Sequence, residues 1–223
     1  MFVTRTRRPR TKSLIAAGIA ATGVIVFAGT VAQLIDYGFL GDRVAALDSA
    51  TDGGIFGVVG DVSLALAAAA AWTVLVRMRP VTAATVALPP LLTFLTIDKV
   101  FRFHDHVPQW IVYYLPVLIA VFVAAVFVAR RLSSRSFRII AIALAMLAGA
   151  FLINRSGDWI LRVTGGYDNG WMWQVKGVIK HGLEVAGWLL MALGLFVGVG
   201  EIKHMPTSHS RAGRSRSRTS AGG

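Results

Sequence analysis

Six stretches of this chain are apolar for long enough to cross a lipid bilayer, and only short polar segments separate them. They run Ser13 to Ile35, Ile55 to Val76, Val81 to Asp98, Trp110 to Ala129, Phe137 to Ile153 and Val175 to Val199, with the fifth expected to continue as helix towards Val163. A hydrocarbon core of roughly 30 Å takes about 20 apolar residues in a helix. No water satisfies backbone N–H and C=O groups there, so each segment must close its own hydrogen bonds, which helices do and open strands do not. The expected fold is therefore all-α, a polytopic transmembrane bundle of about six helices. Composition agrees: 55% hydrophobic residues, 15% charged residues and a mean hydropathy of +0.64 exclude an ordinary soluble domain. The length leaves no room for a second globular domain beside the bundle.

Charge sorts the connecting segments into two kinds. Arg5, Arg7, Arg8, Arg10 and Lys12 precede the first span. Arg77 and Arg79 follow the second, Arg130, Arg131, Arg135 and Arg138 follow the fourth, and Lys203, Arg211, Arg214, Arg216 and Arg218 follow the sixth. The alternate segments hold Asp36, Asp42, Asp48, Asp52, Asp105, Asp158 and Asp168, and Glu201 is the one acid on the basic side. Lys and Arg accumulate on cytoplasmic loops, so both termini are expected inside. The organisation is read as a basic cytoplasmic N-terminus (1–12), a transmembrane domain (13–203) and a disordered basic tail (204–223), the tail having almost nothing apolar to bury. The net charge of +12 then meets anionic lipid headgroups at the termini and not nucleic acid. The first apolar run is too long for a signal-peptide core and lacks a good small-residue cleavage site, which favours an uncleaved anchor. Ala- and Arg-rich, Lys-poor usage points to a bacterial cytoplasmic membrane in a high-GC source. There is no cysteine, hence no disulfide and no thiolate metal site.

Residues able to do chemistry gather near the expected outer face. The third span ends in Asp98-Lys-Val-Phe-Arg-Phe-His104-Asp105-His106, where Asp98 and Asp105 share a face if the helix continues. His181 and Glu184, at i and i+3 near the start of the sixth span, share another. Asp61 enters from the second span, about 9 Å below Ile55 at 1.5 Å per residue. Asp158 and Asn154 arrive from the fifth. Carboxylates crowded where water is scarce must be protonated, paired or bridged by a cation. Ion pairing is the simplest solution. Arg102 lies at i+4 from Asp98, Arg155 and Arg162 flank Asp158 at i−3 and i+4, and Lys180 lies at i−4 from Glu184. A divalent metal is a second solution, Zn²⁺ on His with Asp or Glu, or Fe or Mn between carboxylates. A proton or ion pathway is a third.

Other signals are structural. Pro89 and Pro90 are expected to kink or break the third span. Trp110, Tyr113, Tyr114, Trp159, Trp171 and Trp173 read as an interfacial aromatic belt. Gly177, Gly182, Gly187, Gly194 and Gly198 suggest close helix packing in the sixth span. No Walker loop, GxSxG elbow or HExxH is present, and Ser63 has no evident base.

The string Asp98 to Asp105, of form D-x5-H-[DE], with Trp110 to Pro116 (WIVYYLP) and His181 to Leu195 (HGLEVAGWLLMALGL), resembles uncharacterised multi-pass membrane proteins of actinobacteria and other prokaryotes. Their corresponding segments look like LDE-x4-HE and EExLExxGWxLxxLGL. The resemblance covers the C-terminal half and implies no established activity. Lys99 stands where that family has an acid, and Lys180 and His181 where it often has Glu-Glu, so the site here is less acidic. In residue types the chain is also faintly similar to ceramidase-like zinc hydrolases, but their closing H-x3-H is replaced by H-x2-E and the activity is not carried over. The expected function is a non-catalytic membrane component with an outward-facing acidic and histidine cluster. The alternatives are a metal-dependent membrane hydrolase acting on a lipid-like substrate, and a small ion- or proton-coupled transporter.

Overall fold

In a computed structural model of the chain, residues 9–41, 44, 47, 54–164 and 170–202 are described. Asp42, Asp48, Asp52, Asp168, His204 and the tail expected to be disordered lie outside the described residues. The elements are α1 (Pro9–Ile35), which passes into a π-helical turn at Asp36–Leu40, α2 (Ile55–Arg77), α3 (Ala83–Phe101), a 3₁₀ turn at Phe103–His106, α4 (Trp110–Arg131), α5 (Ser134–Arg155), α6 (Gly157–Thr164) and α7 (Trp171–Ile202). No strand occurs among the described residues. Six of the helices are long and apolar enough to cross a membrane, and α6, with 8 residues, is not one of them.

Local chemistry sets the helix ends. Thr82 caps α3 in a reciprocal box: its backbone N–H donates to Thr85 Oγ1 at 2.8 Å, and Thr85 N–H donates back to Thr82 Oγ1. Ser133 caps α5 by accepting from the Ser136 N–H at 3.2 Å.

Of the kink or break expected at Pro89 and Pro90, the break does not occur: α3 runs on through both, because proline's fixed φ is already helical and a membrane helix tolerates the two carbonyls it leaves without donors. The helix ends at Phe101, three residues past the expected Asp98 and short of Asp105. Arg102 takes a left-handed conformation (φ 55°) and its N–H closes on the Asp98 carbonyl at 2.6 Å, so Asp98 and Asp105 do not share a helical face. The fifth span also does not run on unbroken: Ser156 (φ −93°, ψ 7°) separates α5 from α6.

α7 is the central post, packing on α1, α2 and α5, while α4 sits at the periphery against α3 and more loosely against α5. Small residues allow the close approaches. On α2, Ala67, Ala70 and Ala71 are buried in the shared core with Met191 and Leu195 of α7. On α7, a Cβ at Gly187 would lie 2.6 Å from Leu147 Cγ, one at Gly194 2.6 Å from Ile140 Cγ1, and one at Gly198 2.6 Å from Leu132 Cδ1. Without a hydrophobic drive between helices in lipid, such packing and interhelical hydrogen bonds hold the bundle together. Ser136 Oγ donates to the Gly194 carbonyl at 2.6 Å, and Gln33 of α1 donates to Gln174 of α7 at 2.7 Å, both within buried surroundings. Beyond α1, Asp36 is fully buried and not a loop residue, its Oδ1 accepting the Val44 N–H at 3.0 Å.

Candidate functional site

Arg135 at the start of α5 lies 3.8 Å from Glu201 at the end of α7, which brings those two helix ends together. A cavity of about 810 Å³ opens between α2, α3, α4, α5 and α7. Its polar lining is Asp61 from α2, Asp98 and Lys99 from α3 with Arg102 just beyond it, Tyr114 from α4, Asn154 from α5, and Lys180, His181 and Glu184 from α7. Its apolar wall, deeper in the bundle, includes Leu64, Leu118, Phe122, Leu147, Phe151 and Trp188.

The polar end is held together between helices. Lys99 Nζ forms a hydrogen-bonded salt bridge with Glu184 Oε1, their side chains 25% and 24% exposed. His181 Nδ1 lies 3.8 Å from the other oxygen of Glu184, as the i,i+3 spacing requires. Tyr114 donates its hydroxyl proton to Asp98 Oδ1, and Asp98 is buried. Lys99 reaches Glu184 across α2 at Gly60, where a Cβ would lie 3.0 Å from Nζ. A glycine there leaves room for the lysine head, which packing alone would otherwise displace.

Of the expected site residues, Asp61, Asp98, His181, Glu184, Arg102 and Lys180 all line this cavity. Lys99, on another helix, is hydrogen-bonded to Glu184, and the charges of His181 and the expected Lys180 also act on that carboxylate. His104 and Asp105 fall in the 3₁₀ turn and Asp158 in α6; their side chains lie outside the described residues. Arg155 ends α5 and Arg162 lies in α6; both are exposed, and the break at Ser156 removes the helical register that related Arg155 to Asp158. Tyr114 leaves the expected aromatic belt for the cavity, whereas Tyr113, Trp159 and Trp171 are exposed as a belt requires. Lys99 as an ion-pair partner, Tyr114 as the hydrogen-bond donor to Asp98, and the apolar wall of α4 and α5 are roles that the sequence did not single out. Among the described residues, no three His, Asp or Glu side chains come together in a way that could hold a metal ion.

A second recess of about 360 Å³ lies between α4 and α5 and shares Phe122 and Ala148 with the main cavity. The two adjoin at those residues, and the lining of the second is apolar throughout.

A family model described as a domain of unknown function (DUF8692) matches residues 14–199. The chain belongs to the DUF8692 family. The match runs from α1 to α7 and takes in every lining residue of the DUF8692 cavity. No curated protein and no solved structure matches the chain.

Proposed function

We propose that this DUF8692 protein is a non-catalytic component of the bacterial cytoplasmic membrane, with both termini in the cytoplasm, that holds an amphipathic, lipid-like molecule in its outer half. The observation that carries this reading is the cavity: a polar end at the level where α3 ends and α2, α4 and α7 begin, joined to an apolar furrow between two helices that pack loosely on each other. Such a shape suits a molecule with a polar head and an apolar tail. The acids at the polar end act in this reading as a structural network, since Glu184 and Asp98 each have a partner on another helix.

The test is the lipid content of protein purified in a non-ionic detergent. About one amphiphile per chain should be retained after extensive washing, and Ala148→Trp, which fills the junction of the two recesses, should lose it while remaining folded. Detergent-only protein, or equal retention by the filled variant, contradicts the reading. Elemental analysis of protein purified without chelator separates it from the hydrolase alternative. Stoichiometric Zn, Fe or Mn that disappears in both Glu184→Gln and His181→Ala would put the enzyme in its place.

The orientation has its own prediction. Reporter fusions at Gly53, Arg79, Gly166 and the C-terminus should report outside, inside, outside and inside, because the Lys and Arg bias is consistent over successive segments. An external C-terminus reverses the assignment.

A further inference from the structure

We infer that an anionic phospholipid of the leaflet on the basic side is seated at the turn between α4 and α5, with its phosphate between Arg130 and Arg138 and one acyl chain in the smaller recess. This seat is separate from the larger cavity and does not depend on what that cavity holds.

The recess is a track for the chain. Its floor is Ala129, Ile140 and Leu144, all buried, while Phe137, Ala141 and Ala145 along its side are exposed, so it opens onto the bilayer. Its length matches one leaflet. From Arg131 back to Phe122 α4 rises about 14 Å, and from Arg138 on to Ala148 α5 rises about 15 Å, each close to half of a hydrocarbon core of roughly 30 Å. A chain hanging from a head at the arginines therefore ends at Phe122 and Ala148, where the larger cavity begins.

Helical register puts a cation at the head of this track on both sides. Phe122, Val126 and Ala129 line the recess from α4, and Arg130 follows Val126 at i+4. Ala141, Ala145 and Ala148 line it from α5, and Arg138 precedes them by three, seven and ten residues. Each arginine thus continues the lining face of its own helix. Both are exposed, and Arg138 spends only Nε on the Ser134 carbonyl, at 3.3 Å.

The acids of the chain are placed elsewhere. Glu201, the one acid on this side, lies against Arg135. Asp105 precedes α4, and Asp158 and Asp168 follow α5; each of these helices has 22 residues, about 33 Å of rise, between such an acid and the turn. Asp36, Asp42, Asp48 and Asp52 fall between Gln33 and Phe56, which meet Gln174 and His181 in the first half of α7. Asp61, Asp98 and Glu184 line the larger cavity. Residues 1–12 and 203–223 contain no Asp or Glu. The turn therefore keeps an excess of positive charge beside an apolar track. Guanidinium groups match phosphate oxygens with paired N–H donors, and the anionic lipids of a leaflet supply that phosphate without a second, positive group. A choline head would bring its ammonium among the arginines.

Native mass spectrometry of the protein in micelles doped with equal amounts of phosphatidylglycerol and phosphatidylcholine, of matched acyl chains, tests the seat. The unaltered protein should keep one phosphatidylglycerol in preference to phosphatidylcholine by at least about 10-fold. Arg130→Gln/Arg138→Gln should bring the two lipids near parity. Arg77→Gln/Arg79→Gln removes the same charge from the turn between α2 and α3, where neither residue lines a recess, and should leave the preference as it was. Ala145→Trp fills the track beneath intact arginines and should lose the retained lipid; Ala141→Phe, one turn away, should do the same. Excess glycerol phosphate, the head without its chains, should not displace the lipid. Thermal unfolding followed by circular dichroism shows that each variant is folded. Parity of the two lipids in the unaltered protein, retention by the filled variants, equal loss in the Arg77/Arg79 control, or displacement by glycerol phosphate each overturns the inference. An amphiphile in the larger cavity adds the same background to every variant, so its presence or absence does not decide this comparison.

Discussion

Lys99→Met is expected to destabilise the folded bundle by about 3 kcal/mol, the scale on which a charge left without its partner at membrane depth is penalised. Lys99 is the cation hydrogen-bonded to Glu184, and both side chains are three-quarters enclosed. Removing the lysine takes from Glu184 its hydrogen-bonded cation and leaves only the longer-range charges of His181 and Lys180 beside it within α7. The reverse change, Glu184→Gln, should cost less, because Lys99 lies near the end of α3 and its long stem can carry the ammonium towards the interface. Lys99→Met/Glu184→Gln should recover most of the loss, since an enclosed ion pair is repaid only partly by its own Coulomb energy. Unfolding in mixed micelles by titration with a denaturing detergent reads all four proteins. Neutral single variants, or a double variant whose loss is the sum of the singles, would show that the pair contributes nothing as a pair.

The second large effect is predicted at the seam between α5 and α7. Gly194→Ala should cost about 1 to 3 kcal/mol, the range for overpacking a close contact. The added Cβ would lie 2.6 Å from Ile140 Cγ1 and 3.3 Å from the Ile140 backbone nitrogen, so a rotamer change of Ile140 alone does not relieve it. The helices must part, which also stretches the hydrogen bond from Ser136 Oγ to the Gly194 carbonyl. Gly23→Ala is the matched control. Nothing lies within 4 Å of a Cβ there, and alanine is the better helix former, so stability should hold or rise slightly. The same mixed-micelle titration compares them, and equal behaviour of the two variants would refute the tight seam.

The spans were legible because length and apolarity are summed over many residues. α2 begins at the expected Ile55, and α7 begins only slightly before the expected Val175 because Trp171 to Gln174 extend it beyond the apolar run. What was not legible turns on single backbone choices. Nothing in the string Phe101-Arg102-Phe103 announces a left-handed residue, since glycine is the usual signal and arginine stands there. The Ser156 break is similarly local: its hydroxyl donates to the Leu152 carbonyl at 2.6 Å, a bond that competes with the helix it ends.

At the site, that Asp61, Asp98 and Glu184 line one cavity could be anticipated by counting along the spans and needed no side-chain detail. The pairing did not follow, because same-helix register can be counted along a sequence whereas contact between α3 and α7 depends on how α2 fits between them. A usable signal was present. Lys99 directly follows the third apolar run and Glu184 lies within the sixth, and charges so placed seek each other. Gln33 and Gln174 carry the same signal in uncharged form. The cavity's apolar wall gave none, since a leucine facing a furrow and a leucine facing lipid look alike in sequence.

The central claim is that the furrow holds an amphiphile as a site and not as bulk lipid. Photo-crosslinking in membranes with a lipid carrying a diazirine in its acyl chain, followed by peptide mapping, tests it most directly. Leu118, Phe122 and Phe151 line the cavity, while Val24, Phe27 and Ile142 are exposed on the outside of the bundle. The account predicts adducts on the first three that disappear when excess unlabelled lipid is added, and weaker adducts on the other three that fall only in proportion to dilution. Dilution behaviour alike at all six positions, or adducts confined to Val24, Phe27 and Ile142, would contradict it.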